Sequence, residues 1–378
     1  MLALIWPSST SAQSFREQAR EAASRGDNQQ AVALFEKALT SAMLIFKEGD
    51  IELTIRRAEL GEAYRAEGRW DDAIAQLKYA WERSKYDATL TKRWNGHEGD
   101  MAMSCAEKLA RCYQGAGQYE NTIKTLQVAL DDNVKHGRRL EEGTHFLAML
   151  TDMFLLLNRE DEATEAAKEV MEITELTAEE NPVHTARVCS VMGGIYLNHQ
   201  RIDQARILLQ RSVRLAAQHL PPADKDRLRV QQQLASILIQ DGKLDEAELL
   251  LNDTITQSKN SDSADMKILV AAHLALGNAA LKKGNPEDVL QHTEDARVLC
   301  EKHFSKEHSE YARCFLLSGL ARVDLRQRDA ARKDLEIAYG VLVKALGQDH
   351  PDSTTVKRAL DELSSNTVTA DPTLKKTP

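Results

Sequence analysis

Residues 60–80 read LGEAYRAEGRWDDAIAQLKYA. Leu60, Gly61 and Tyr64 stand at i, i+1 and i+4, which is one face of a helix. Gly68 interrupts that pattern, and Ala73, Leu77 and Ala80 then form a second stripe at i, i+4 and i+7. Small side chains at Gly61, Ala73 and Ala80 let two antiparallel helices come close, while Leu60, Tyr64 and Leu77 fill the seam between them. The stretch predicts a helical hairpin.

The same order of residues returns along the chain. Marked by the small residue after the turn, it recurs at Ala31, Ala73, Thr122, Ala163, Ala205, Ala247, Val289 and Ala331, with spacings of 42, 49, 41, 42, 42, 42 and 42. Five residues before each mark comes the turn position, held by Gly26, Gly68, Gly117, Asn158, Gln200, Gly242, Gly284 and Arg326. Any two amphipathic helices can imitate one match; eight at near-constant spacing are a repeat array. After the eighth, Thr354–Leu363 reads as one more helix, of mixed polarity as a terminal cap requires.

The L-G-x-x-Y run, the turn glycine and the alanine–bulky–alanine stripe together resemble the tetratricopeptide repeat (TPR). Its plain form takes about 34 residues, so each unit here has about eight more, in helices or linkers. Leu346-Gly347-Gln348-Asp349-His350-Pro351-Asp352-Ser353 resembles the linker of the long 42-residue repeats of kinesin light chains and similar bacterial proteins, with degenerate versions at 180–185 and 305–310. The resemblance covers about residues 13–365. It implies an all-α fold, a right-handed α-α superhelix (TPR solenoid) of about eight hairpins plus a C-terminal capping helix. It further implies a concave groove, lined by the first helix of each hairpin, that holds extended peptides or partner segments. The heptad-rich N-terminal coiled coil of kinesin light chain has no counterpart here, so motor cargo transport is not implied.

Carrying the family's concave slots onto this register selects Glu107, Arg111, Arg187, Asn198, Arg229, Gln232, Ser236, Gln240, Asn278 and Lys282. Asn278, within Leu276-Gly277-Asn278, most resembles the groove asparagine of the family. Arg187 and Arg229 are suited to clamping an acidic group. Read singly, each of the ten is also an ordinary solvated position on an exposed helix face.

Composition agrees with an all-helical chain. Of 378 residues, 42% are hydrophobic and 28% charged, aromatics are only 5%, and prolines number eight. The formal net charge of −9 argues against nucleic acid or an anionic membrane as partner. No run approaches the ~18 apolar residues of a transmembrane span. Five cysteines, Cys105, Cys112, Cys189, Cys300 and Cys314, match neither a zinc pattern nor a disulfide framework. Cys300 and Cys314 are the two that neighbouring helices could bring together.

Three stretches depart from the repeat. Residues 1–12 carry a short apolar run and then Thr10-Ser11-Ala12, small residues of the kind that end an export signal. They read either as the remnant of such a signal or as an N-terminus of no consequence, so cytoplasmic and exported or periplasmic locations both stay open. Residues 86–99 form an insertion containing Trp94, either a binding protrusion or a longer linker whose Trp packs on a neighbouring helix. Residues 366–378 lack periodicity and read as a disordered tail.

Catalytic patterns are absent: there is no glycine-rich phosphate loop, H-E-x-x-H or G-x-S-x-G, and no calcium loop. His303 and His308 lie five apart without a third ligand, so the sequence predicts no metal site and no cofactor. The repeats leave no stretch of 100 residues for a catalytic domain. The expected function is therefore non-catalytic: a scaffold or adaptor for a protein or peptide partner. Two competitors stay open, a peptide-sensing regulatory protein and a structural spacer in a larger assembly, such as one in the envelope.

Overall fold

The computed structural model describes residues 9–25, 27–85, 101–135, 140–260, 265–304, 308–348 and 350–368. These residues form helices and no strand. The first four hairpins pair α1 (Ser9–Ser24) with α2 (Asn28–Met43), α3 (Ile51–Ala66) with α4 (Trp70–Ser84), α5 (Met101–Gly115) with α6 (Tyr119–Lys135), and α7 (Leu140–Leu156) with α8 (Glu160–Thr177). The next four pair α9 (Pro182–Asn198) with α10 (Ile202–His219), α11 (Lys225–Gln240) with α12 (Leu244–Lys259), α13 (Met266–Lys283) with α14 (Pro286–His303), and α15 (Ser309–Asp324) with α16 (Arg328–Leu346). A single helix, α17 (Pro351–Val368), follows. Eight hairpins and one further helix are what the register predicts.

The turns of hairpins two to eight are built the same way. The turn residue takes a left-handed backbone, with φ of 75° at Gly68, Gly242 and Gly284 and 72° at Gly117. Where the sequence has no glycine the backbone is unchanged: Asn158, Gln200 and Arg326 sit at φ 57°, 59° and 58°. The following N–H reaches back five residues to close the helix, as from Arg69 to the carbonyl of Tyr64 at 2.9 Å and from Arg201 to that of Tyr196 at 2.8 Å. Several second helices then begin without a side-chain cap. Acidic first turns, such as Asp71 and Asp72 in α4 or Glu160, Asp161 and Glu162 in α8, complement the helix dipole there.

The seam residues behave as their spacing predicts. Ala31, Ala73, Thr122, Ala163, Ala205, Ala247, Val289 and Ala331 are all buried, as are Leu77, Leu209, Leu251 and Leu335 four positions after their marks. Full burial of each such leucine contributes about 1.5–3 kcal/mol. Gly61 is needed for the approach: a Cβ there would stand 2.6 Å from Cγ of Leu77. Gly193 faces Leu209 and Gly319 faces Leu335 in the same way.

The helices group into two compact units, Met1–Ala178 with hairpins one to four and Glu179–Pro378 with the rest. In the first, α3 packs on α4 and also on α5, the next first helix. In the second, α9, α11, α13 and α15 each touch the first helix of the next hairpin, or α17 in the case of α15, as well as their own hairpin partners, so these helices form one continuous layer. Helix α17 closes that unit, with Val356, Ala359 and Leu363 packed on Ala312, Leu316, Leu335 and Leu342.

Three details differ from the sequence reading. Helix α17 begins at Pro351 rather than Thr354, because proline suits a first helical position and His350 Nδ1 accepts the N–H of Asp352 at 3.1 Å. It runs on to Val368, into the first residues of the expected tail. Helix α1 likewise begins at Ser9, inside the segment read as an export remnant. Residues 1–8, the insertion 86–99 and residues 369–378 lie outside the described residues. All five cysteines are buried and free, and Cys300 and Cys314 do meet, sharing one apolar cluster between α14 and α15.

Candidate binding groove

In the second unit the layer of first helices encloses a groove of about 500 Å³. Its floor is apolar, built from Ala271 and Leu274 of α13 and Leu316, Leu317 and Leu320 of α15, among others. Its polar lining follows from helix periodicity. Gln232, Ser236 and Gln240 recur at i, i+4 and i+8 on one face of α11, and Asn278 and Lys282 recur at i and i+4 on α13. Ser236 to Asn278 and Gln240 to Lys282 are each 42 residues, so successive helices present equivalent positions to the same space.

The charges in the groove are largely answered from within. Lys282 Nζ donates to the carbonyl of Ile239 at the end of α11, at 3.0 Å. Arg313 on α15 pairs with Asp352 on α17 at 2.8 Å and with Glu310 at 3.4 Å. One cation thus meets a backbone carbonyl and the other meets two carboxylates. The Ser236 hydroxyl donates to the Gln232 carbonyl at 3.2 Å. The amide side chains of Gln232, Gln240 and Asn278, in contrast, make no hydrogen bond among the described residues. Each offers a donor pair and an acceptor to the groove.

The ten residues selected from sequence separate into groups. Gln232, Ser236, Gln240, Asn278 and Lys282 line the groove together. Arg187 on α9 and Arg229 on α11 come together elsewhere, on Asp226, at 2.6 Å and 3.2 Å. In this structure both guanidiniums are paired with a side chain of the protein itself. Asn198 is the last residue of α9, exposed and outside the groove lining. Glu107 and Arg111 belong to α5 of the first unit, where they pair with each other at 3.0 Å. His145 Nε2 of α7 also stands 3.2 Å from Glu107 Oε1, without the alignment of a good hydrogen bond. That contact, opposed by burial and helped by Arg111, holds the Glu107 carboxyl down at about 2.

Sequence reasoning missed Glu310, Arg313, Asp352 and Thr355, which complete the lining from α15 and α17. The signal was present: the slot that selects Arg187 and Arg229, 42 apart, selects Arg313 two repeats further on. A second signal is a ladder of ion pairs between first helices at a separation of 39. Arg20 meets Glu59, Arg187 meets Asp226, and Arg313 meets Asp352.

No family model and no curated protein matches the chain. Among solved structures, the apo form of the quorum sensor NprR from B. thuringiensis overlays at TM-score 0.55, covering 88% of this chain and 87% of that one at 14% identity. A tetratricopeptide repeat protein from Parabacteroides merdae covers 94% of this chain and 99% of its own at 12% identity, with a TM-score of 0.46. This chain has the tetratricopeptide-like helical repeat fold. Within that fold the groove described above lies on the layer of first helices, and no described helix is long and apolar enough to cross a membrane.

Proposed function

We propose that the chain is a non-catalytic binding protein whose second unit holds an extended peptide, or an extended segment of a partner protein, along α11, α13 and α15. One observation carries the reading: three unpaired amides stand over an apolar floor in a groove whose charges are otherwise paired. Carboxamides can give and accept hydrogen bonds along a peptide backbone whatever its sequence, and the leucine floor offers room for its apolar side chains. With two cations and two carboxylates in the lining, the preferred segment is close to neutral and contains apolar residues. A spacer would have no need of unpaired amides over leucine. The neighbour NprR is a quorum sensor, and a sensing role here would use the same groove.

The test is affinity capture from the native source with the wild type and with Gln232→Ala, Gln240→Ala and Asn278→Ala combined. These residues are half-buried or exposed, so the fold is expected to persist. Loss of the specific partners supports the groove; an unchanged set at unchanged yield overturns it. X-ray scattering of the complex separates sensor from scaffold, since only a sensor is expected to change its dimensions when the ligand binds.

A further inference from the structure

His273, His292 and Asp295 lie away from the groove lining, where α13 meets α14. One nitrogen from each imidazole and one carboxylate oxygen fall within 4.8 Å of one another. His292 and Asp295 are i and i+3 on α14, on one face, and His273 comes from the facing helix. His273 is only 6% exposed, and its Nδ1 is buried with no hydrogen-bond partner. The nearest candidate, Asp295 Oδ2, stands 3.8 Å away, too far for a hydrogen bond. His292 Nδ1 is also buried and unpartnered. Each imidazole thus has a buried nitrogen without a partner, and both rings stand beside one carboxylate.

We propose that this cluster is a binding site for a first-row divalent transition metal, zinc in the first instance, held by His273, His292 and Asp295. Two imidazoles favour zinc and its neighbours over magnesium or calcium, which take oxygen ligands. Zn–N and Zn–O bonds of about 2.0–2.2 Å in a tetrahedron put ligand atoms roughly 3.4 Å apart, so the three need to close by about an ångström. His292 and Asp295 are the half-buried members of the three, so that movement falls to them rather than to the buried His273. Gln291 Nε2 donates to the other oxygen of Asp295 at 3.3 Å, which steadies the carboxylate. Three protein ligands leave a fourth position for water or a partner's side chain.

The site would also serve its hairpin. In hairpins two, five and eight a glycine of the first helix closes on a leucine of the second, whereas hairpin seven has Thr293 opposite Gly277 with a looser 3.6 Å contact. A metal next to Thr293 would supply the missing clamp between α13 and α14, whose inner face carries Asn278.

The experiment is calorimetric titration of zinc chloride into chelator-treated full-length protein, run alongside His292→Ala, Asp295→Asn and, as control, His303→Ala. The expected result is one zinc per chain, weakened at least about 100-fold by His292→Ala, since even residues that only hydrogen-bond to a metal's ligands are worth about 10–100-fold. Asp295→Asn weakens it less and His303→Ala not at all. Cobalt substitution reads the ligand set independently: the tetrahedral visible band of the wild type should vanish in His292→Ala. No zinc bound by the wild type, or His292→Ala binding as tightly as wild type with its helical circular dichroism intact, overturns the site.

Discussion

Gly61 and Gly277 hold the same place in their hairpins and face different neighbours. A Cβ on Gly61 would meet Leu77 at 2.6 Å, while one on Gly277 would find nothing nearer than 3.5 Å. Gly61→Ala is therefore expected to cost about 1–3 kcal/mol through overpacking. Gly277→Ala should instead gain about 0.5–1 kcal/mol from helix propensity. Urea unfolding of the two variants decides it; equal effects would mean the seam is not as tight at Gly61 as its geometry requires. The turns give the converse case. Gln200 and Arg326 adopt the left-handed backbone that Gly68 adopts, at an expected cost of about 1 kcal/mol each. Gln200→Gly and Arg326→Gly should raise the urea midpoint, and Gly68→Ala should lower it. At this scale the sequence is nearly transparent. Position in the register says which residue is buried and which turns, because neighbouring hairpins impose the same packing at each pass.

Single helices are legible in extent and less so in their pairings. The register locates α5 and marks Glu107 as polar, but its hold on His145 of α7 depends on how the two first helices are set against each other. The outcome is a carboxyl kept well below its ordinary value. Its charged form is favoured by folding, so the stabilisation is complete above the unfolded carboxyl pKa and is lost as pH falls from there towards about 2. With a third of the side chain exposed, solvent screening leaves about 1 kcal/mol. Glu107→Gln should thus lower stability at pH 7 by that amount and flatten the acid limb of a stability–pH curve between about pH 4.5 and 2. Arg187 and Arg229 teach the same lesson. Their place on the first helices was readable, but Asp226 as their shared partner was not, since it lies on the next repeat 39 residues beyond Arg187. At the far end, α17 buries Val356 completely against hairpin eight. Val356→Asp should expose that face, and hydrogen exchange should quicken in α15 and α16 while α9 and α10 keep their protection. Uniform acceleration along the unit would show cooperativity beyond nearest neighbours.

For the molecule as a whole, the eightfold order of hairpins could be read directly, whereas its division into two units could not: no change of period marks residue 178. Every residue that lines the groove lies within Glu179–Pro378. That segment, produced alone, is expected to melt cooperatively by circular dichroism and to capture the same partners as the full chain. Partners that come only with the full chain would locate part of the binding surface in Met1–Ala178. The groove was legible in part. Five of its residues follow from family slots on a regular period, but the pairing of its charges, and with it the prominence of three free amides, needed the structure.

The ladder of ion pairs between first helices gives the stack a direction. An arginine early in one repeat is answered by an acid near the start of the next, as Arg187 by Asp226 and Arg313 by Asp352. In the slot that Arg187, Arg229 and Arg313 share, α17 carries Thr355, so nothing is handed on. Each repeat in this ladder is therefore half a sentence, completed only by its successor. Gene duplication or engineering that moves one hairpin at a time would leave an arginine unanswered at one joint and an acid unanswered at the other. Pieces cut to run from an arginine to the acid that answers it are the ones that could be recombined without loss.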